Sequence, residues 1–195
     1  MTITPKPNLP PVVEFRQLKP FDRHEVKKLY ARRVGVGFEN TLDLVFDSDA
    51  SAEAIVATKG ESVIGFAVVL FLTAEGVETY FQGAKPNYPI GEINAVFHAL
   101  AVSEKWERRG IGSELMRQRL CIAHSVSNIN AAFANVWLRP HTVDASVLFE
   151  KYGFERLETV NEAFSSTPGK RECPDCEPNN CSCASAVYAK VFEKT

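Results

Sequence analysis

The sequence predicts a single α/β domain built on a mixed sheet with helices on its faces. Three observations predict it. The chain has 195 residues, of which 45% are hydrophobic and 24% charged, the size and composition of one globular domain. Residues 63–72 form a near-continuous apolar run, as in a strand covered on both faces. Strand-like and helix-like segments alternate in the second half but not in the first, which favours a mixed sheet over a purely parallel one.

The elements follow in order. Residues 1–11 carry Pro5, Pro7, Pro10 and Pro11 and read as a loose arm. The domain proper spans 12–195. Residues 12–18 alternate as a strand. Asp22 is placed to N-cap a helix through Val34. A short helix covers 39–46 and ends at Asp47-Ser48-Asp49. Residues 53–58 and 62–72 make two strands joined by the turn Lys59-Gly60-Glu61. Gly76, Gly83, Pro86, Pro89 and Gly91 break up residues 73–91, which read as an extended hairpin tip or a lid. Residues 92–102 are the next strand. Residues 110–124 are helical, with the apolar arc of Ile111, Leu115, Met116, Leu120 and Ile122 interrupted by Arg119. A strand at 131–138, a helix at 143–152 stopped by Gly153, and strands at 154–160 and 184–192 complete the domain. A cysteine-rich insertion at 165–184 precedes the last strand.

Charge narrows the function. Lys plus Arg number 22 against 24 Asp plus Glu, a formal charge of −2, which argues against a general electrostatic grip on nucleic acid or an acidic membrane. The apolar run at 63–72 falls short of the about 20 residues that span a bilayer. The first 11 residues lack a charged-then-apolar signal layout, so a cytoplasmic location is expected.

The stretch Leu100-Ala101-Val102-Ser103-Glu104-Lys105-Trp106-Glu107-Arg108-Arg109-Gly110-Ile111-Gly112-Ser113 runs an apolar strand into a glycine-bracketed turn that opens a helix. Such a turn aims several backbone N–H groups at one point, at the positive end of the helix dipole. Gly110 and Gly112 let a bulky anion approach the main chain, and Arg108 and Arg109 add cations at the rim. A phosphate or pyrophosphate suits it. Neither a Walker loop nor a dinucleotide fingerprint is present. A helix start beside two solvated arginines is the plainer reading of the turn alone.

Ala145-Ser146-Val147-Leu148-Phe149-Glu150-Lys151-Tyr152-Gly153-Phe154 resembles the later signature of the GCN5-related N-acetyltransferases. It follows the glycine turn in the order and spacing of that family, and the resemblance covers about residues 12–160 plus the last strand. It implies a mixed, mostly antiparallel twisted sheet of about seven strands flanked by about four helices. It further implies acetyl-CoA as co-substrate and transfer of the acetyl group to a primary amine. By the motif match, the main chain of Leu100, Ala101 and Val102 pairs with the pantetheine arm. Arg108, Arg109, Gly110, Ile111, Gly112 and Ser113 hold the diphosphate, and Phe149 lies at the coenzyme. Two positions depart from the pattern. Glu107 stands where the family has Arg or Gln, so its carboxylate is expected to point away from the phosphates. Phe149 stands where the family often has a tyrosine that protonates the leaving thiolate; Tyr152 nearby reads as core.

An alkylammonium has a pKa of about 10 and must lose a proton before it attacks, so a nearby group that titrates near neutrality is wanted. Strand alternation puts Glu92, Asn94, Val96, His98 and Leu100 on one face, expected to look into the acceptor site. His98 fits as the base, and its strand is similar to that of arylalkylamine acetyltransferases. A hydrogen-bonded strand histidine is the competing reading, and Glu92, acting through an ordered water, is the second candidate. His141 reads as a loop residue, and His24 and His124 as surface residues. No nucleophile motif is visible and Cys121 reads as core, so direct attack of the amine is the expected mechanism.

Cys173, Cys176, Cys181 and Cys183 form a C-x2-C-x4-C-x-C pattern. Four thiolates so close suit a tetrahedral zinc, structural because no coordination position stays open. A disulfide or redox pair, and free thiols, remain alternatives. Two other functions compete: a degenerate acyl-CoA-binding or sensing domain, and an adaptor that uses the cysteine loop. The acceptor is a small-molecule or peptide amine, with Tyr80, Phe81, Tyr88 and Trp137 available to line an aromatic pocket. The sequence leaves a homodimer open.

Overall fold

The apolar run after Gly60 becomes an inner strand of the sheet because it can be buried on both sides. The computed structural model describes residues 7–35, 42–47, 51–81, 88–139, 144–161, 176 and 181–192. Its elements are β1 (Glu14–Gln17), α1 (Arg23–Val34), α2 (Asp43–Asp47), β2 (Ala52–Lys59), β3 (Ser62–Thr73), α3 (Ala74–Tyr80), β4 (Ile93–Val102), α4 (Ile111–Ser125), β5 (Ile129–Leu138), α5 (Ser146–Lys151), β6 (Glu155–Val160) and β7 (Ala184–Val191). Seven strands form one sheet in the order β1-β2-β3-β4-β5-β7-β6. Of the neighbouring pairs only β4 and β5 are parallel. Their connection carries α4, as a parallel crossover requires. The fold is therefore the mixed, mostly antiparallel α/β sheet expected from the sequence. No helix among the described residues is long and apolar enough to cross a membrane.

The two faces bury different helices. Val26, Leu29 and Tyr30 of α1 and Val77 of α3 pack with Phe66, Val68, Val96 and Phe133. Met116 and Ala123 of α4 and Phe149 of α5 pack with Ala95, Phe97, Ala132 and Ala134 on the other side. Phe133 is 0% exposed, a burial worth about 1.5–3 kcal/mol. The Lys59–Ser62 pair closes the β2–β3 hairpin, with Gly60 at φ +56°, a conformation that favours glycine.

Three local expectations are corrected. Asp22 occupies the N-cap position of α1 but its side chain does not cap it. Its carboxylate instead takes two bonds from Arg16 at 2.6 and 2.8 Å and the Lys19 N–H at 2.8 Å, tying β1 to the helix. Residues 74–80, expected to be irregular, form α3, started by Thr73, whose Oγ1 accepts the Gly76 N–H at 3.2 Å. Cys121, expected in the core, is exposed, 3.6 Å from Arg117 Nη1.

Candidate active site

Two features of β4 build the site. The first is a bulge. Val68 faces Ala99 across the β3–β4 ladder while Leu70 faces Val96, so β4 carries an extra residue around Phe97 and His98. Val96, Ala99 and Ala101 consequently pack on the α1 side, whereas Ala95, Phe97, Leu100 and Val102 lie with the α4 side. The expected alternation of Glu92, Asn94, Val96, His98 and Leu100 on one face is broken by that insertion. The second feature is a parting. β4 pairs with β5 at Ile93, Ala95 and Val96 and no further. Beyond Val96 the β5 side of β4, with Leu100, Ala101 and Val102, has no paired strand among the described residues.

His98 stands at this parting, half-buried. Its Nδ1 lies 2.8 Å from the Tyr80 hydroxyl, and the two rings meet edge to face at 5.7 Å. Burial raises the Tyr80 pKa above its ordinary value of 10, so the phenol stays protonated. A histidine that takes a proton at Nε2 requires Nδ1–H to donate to the phenol oxygen; a phenol that donates to Nδ1 puts the imidazole proton on Nε2. Tyr80 thus sets the tautomer on which basicity depends. Sequence reasoning placed Tyr80 only among pocket aromatics, because α3, which carries it, was not foreseen.

Glu92 lies exposed at the bend before β4. Six residues of strand, about 20 Å at 3.3 Å per residue, separate it from His98, so the two candidate bases are not brought together. Asn94 is 0% exposed and clamps the strand's start: its Oδ1 accepts the Gly91 N–H at 2.8 Å, and its amide donates to the Gly91 and Leu72 carbonyls at 2.9 and 3.3 Å.

The glycine turn has the expected helix-opening form. Arg108 and Gly110 adopt φ +57° and +80°, and Gly110 precedes α4. The helix ladder begins with the Glu114 N–H on the Gly110 carbonyl at 2.9 Å, so the amides of Ile111, Gly112 and Ser113 come before it. Glu107 is drawn outward by an ion pair with Arg33 of α1, which also holds Glu104 at 2.9 Å. Arg108 and Arg109 are exposed; the Arg109 guanidinium lies 5.2 Å from the Trp106 ring centre and Lys59 Nζ 5.3 Å from it. A β-carbon on Gly112 would meet nothing closer than 3.9 Å, whereas one on Gly110 would come within 3.0 Å of the Asn8 carbonyl. Residues 7–9 therefore lie against the turn. Tyr152 is core, its hydroxyl donating to the Ser113 carbonyl at 2.7 Å.

Phe149 is 4% exposed and packs against Phe154 and Tyr188. Between it and β4 lies Arg119, 1% exposed, with its guanidinium 4.5 Å from the Phe97 ring centre and 5.6 Å from that of Phe149. The sequence signal for this residue was its place in the apolar arc of α4, where it read as an interruption. Of the acceptor aromatics, Tyr80 meets Phe81 edge to face, and Phe81 and Tyr88 both pack on Phe133 of β5. Trp137, further along β5, is covered by Arg139.

Cys176, Cys181 and Cys183 bring their sulfurs within 4.8 Å of one another, with 3.5 Å between Cys176 and Cys183. Cys183 is buried next to β7. Cys173 and His141 lie outside the described residues.

This geometry agrees with sequence and structure comparison. Residues 50–156, more than half of the chain, match the model of the GNAT acetyltransferase domain. The chain therefore belongs to the GNAT acetyltransferase family and is an acetyl-CoA-dependent acyltransferase. No curated protein sequence matches it. Among solved structures, Arabidopsis thaliana NAA60 in complex with a bisubstrate analogue superposes with a TM-score of 0.68 at 13% identity, over 93% of this chain and 99% of that one. NAA60 in complex with acetyl-CoA gives 0.68 at 14% identity, covering 92% and 98%. The ribosomal-protein-S18-alanine N-acetyltransferase from Escherichia coli gives 0.62 at 13% identity, covering 94% and 96%. At these identities the likeness is one of fold.

Proposed function

We propose that the chain moves the acetyl group of acetyl-CoA to a primary amine by direct attack, with His98 as general base. The observation that carries this reading is the parting of β4 from β5 after Val96, with His98 at its start and the Gly110 turn at its far end. The coenzyme diphosphate rests on the amides of Ile111, Gly112 and Ser113 at the helix N-terminus, assisted by Arg108 or Arg109. The main chain of Leu100 to Val102 pairs with the pantetheine arm, and a backbone N–H there polarises the thioester carbonyl. The ammonium loses one proton to His98 Nε2, the freed lone pair attacks the carbonyl carbon, the C–S electron pair leaves on sulfur as the thiolate, and the new amide nitrogen gives its second proton to water. The acceptor is a small-molecule or peptide amine; the bisubstrate analogue CoA-Ac-MVNAL bound to the structural neighbour Arabidopsis thaliana Naa50 favours a peptide.

The deciding experiment is thioester consumption over a panel of amines and peptide N-termini, with His98→Ala and Glu92→Gln in parallel. Turnover that falls in His98→Ala, with a changed pH profile, supports the assignment. Acetyl-CoA binding without turnover on any amine would favour a sensing domain instead.

We further propose a structural zinc in the cysteine loop. A tetrahedral site with Zn–S bonds of about 2.3 Å sets its sulfurs about 3.8 Å apart, which the three described thiols approach; Cys173 would be the fourth ligand. Metal analysis of protein purified under reducing conditions should find about one zinc per chain, and Cys176→Ser should lose it. A metal-free, equally stable protein refutes the site.

A further inference from the structure

Helical spacing puts Leu115, Arg119 and Ala123 in line on the buried face of α4, and two of the three are apolar. Arg119 is 1% exposed, yet it forms no ion pair among the described residues. Nη1 donates to the Ala99 carbonyl at a long 3.4 Å, Nη2 lies 3.5 Å from Met116 Sδ, and buried Nε has no hydrogen-bond partner. A guanidinium offers five N–H donors, so most of its bonding capacity is unspent. A buried charge so poorly served is costly, and an apolar side chain would fill the same space without that penalty.

Its position gives the cost a purpose. Phe97 lies in the β4 bulge and Ala99 follows it, just past the last β4–β5 pair, while Phe149 belongs to α5 on the other side of the parting. The guanidinium thus lies between β4 and α5 at the end remote from the Gly110 turn, within electrostatic reach of Tyr80, the hydrogen-bond partner of His98.

We propose that Arg119 is an electrostatic positioning residue for the reaction, the fixed buried cation whose field opposes the negative charge that builds on the thioester as the amine attacks and that leaves with the sulfur. This rests on the acetyl-transfer reading above. As the C–N bond forms, the carbonyl oxygen gains charge. When the C–S bond breaks, its electron pair stays on sulfur as the thiolate, the amine proton having gone to His98. Arg119 stabilises that charge through space and gives up no proton; the thiolate is protonated from solvent on release. Burial pulls the Arg119 pKa down to about 9, still above neutrality, so the group remains a cation. In a dry, preorganised site such a charge acts without reorganising.

Arg119→Met and Arg119→Lys test this in steady-state kinetics with acetyl-, malonyl- and succinyl-CoA, alongside thermal melting. Arg119→Met should lose about 10²-fold in kcat with the KM for acetyl-CoA changed only a few-fold, and without a lower melting temperature. Arg119→Lys should recover part of the loss. Wild-type kcat in Arg119→Met overturns the proposal. So does a wild-type preference for malonyl- or succinyl-CoA that vanishes in Arg119→Met, which would make the arginine a reader of an acyl carboxylate. Should Arg119→Met not fold, Arg119→Gln decides: unchanged kcat there overturns the proposal, and a comparable loss upholds it. An inactive wild-type protein would instead remove the acetyl-transfer reading itself.

Discussion

Glu114 and Arg119 are both about 1% exposed and both lie on α4, yet the fold serves them in opposite ways. The Glu114 carboxylate takes two bonds from Arg117 at 2.6 and 2.8 Å and one from Gln118 at 2.9 Å. Arg119 has one long carbonyl contact, a sulfur and two aromatic rings. The first charge is anchored by its own helix. The second is held ready for something the folded chain does not supply. Substitutions should therefore fall into two groups, those that cost stability and those that cost turnover.

The largest effect belongs to the turnover group. His98→Ala should reduce kcat by about 10²–10⁴-fold while thermal melting stays near wild type. Tyr80→Phe should shift the pH–rate profile with a smaller loss, because it removes the bond at Nδ1. Equal rates and profiles in both would return His98 to a strand histidine.

Glu114→Ala tests the other side. It removes three charge-assisted bonds, but Arg117 is 23% exposed and can turn to water. A loss of about 2–3 kcal/mol in urea unfolding is expected, with kcat per folded molecule unchanged. Paired with the stable, inactive behaviour expected of Arg119→Met, it makes the contrast a double dissociation. A drop in stability for both variants would break it.

Asp22 belongs with Glu114. Arg16, chiefly by hydrogen bonding and helped by the Lys19 N–H, holds the Asp22 carboxyl below its ordinary value near 3.8, against an opposing push from burial. Its contribution is therefore complete above the unfolded pKa of about 3.9 and disappears as pH falls through the lowered folded value. Asp22→Asn should cost about 1–2 kcal/mol at pH 7 and flatten the acid limb of stability measured by urea unfolding between pH 5 and pH 2.

The smallest effects lie at the turn. Gly110→Ala forces a β-carbon at φ +80° against the Asn8 carbonyl and should cost about 1–2 kcal/mol. Gly112→Ala meets Leu148 and Val102 at an ordinary contact distance of 3.9 Å and should change stability by no more than about 0.5 kcal/mol. Its expected effect is weaker acetyl-CoA binding in calorimetry, since the methyl group enters the space left above the helix amides.

The sheet was legible because its strands carry their own pattern: Val63 to Leu72 is apolar throughout, and Gly60 marks the hairpin. The turn at Gly110 was legible for the same local reason. The bulge was not, since Val96-Phe97-His98-Ala99 reads as unbroken strand and only the unequal ladder to Val68 and Leu70 reveals it. Helix α3 was hidden because Glu75, Gly76 and Glu78 dilute its apolar face to Val77, and its start depends on a single Thr73 cap. Arg119 was visible as a break in an apolar arc. What it faces comes from β4 and α5, distant in sequence, and no periodicity along α4 could report that.

The two outermost strands carry a further consequence. β1 is only four residues long and holds Glu14 and Arg16. β6 is kinked by a register shift between Arg156 and Glu158 and carries Glu155 as well. Short, charged or bent margins make poor templates for a neighbour's backbone. Fibril-like stacking through ladder extension is thereby discouraged at both borders, and crowding should drive molecules of this chain together through helices or loops rather than by adding strand to strand.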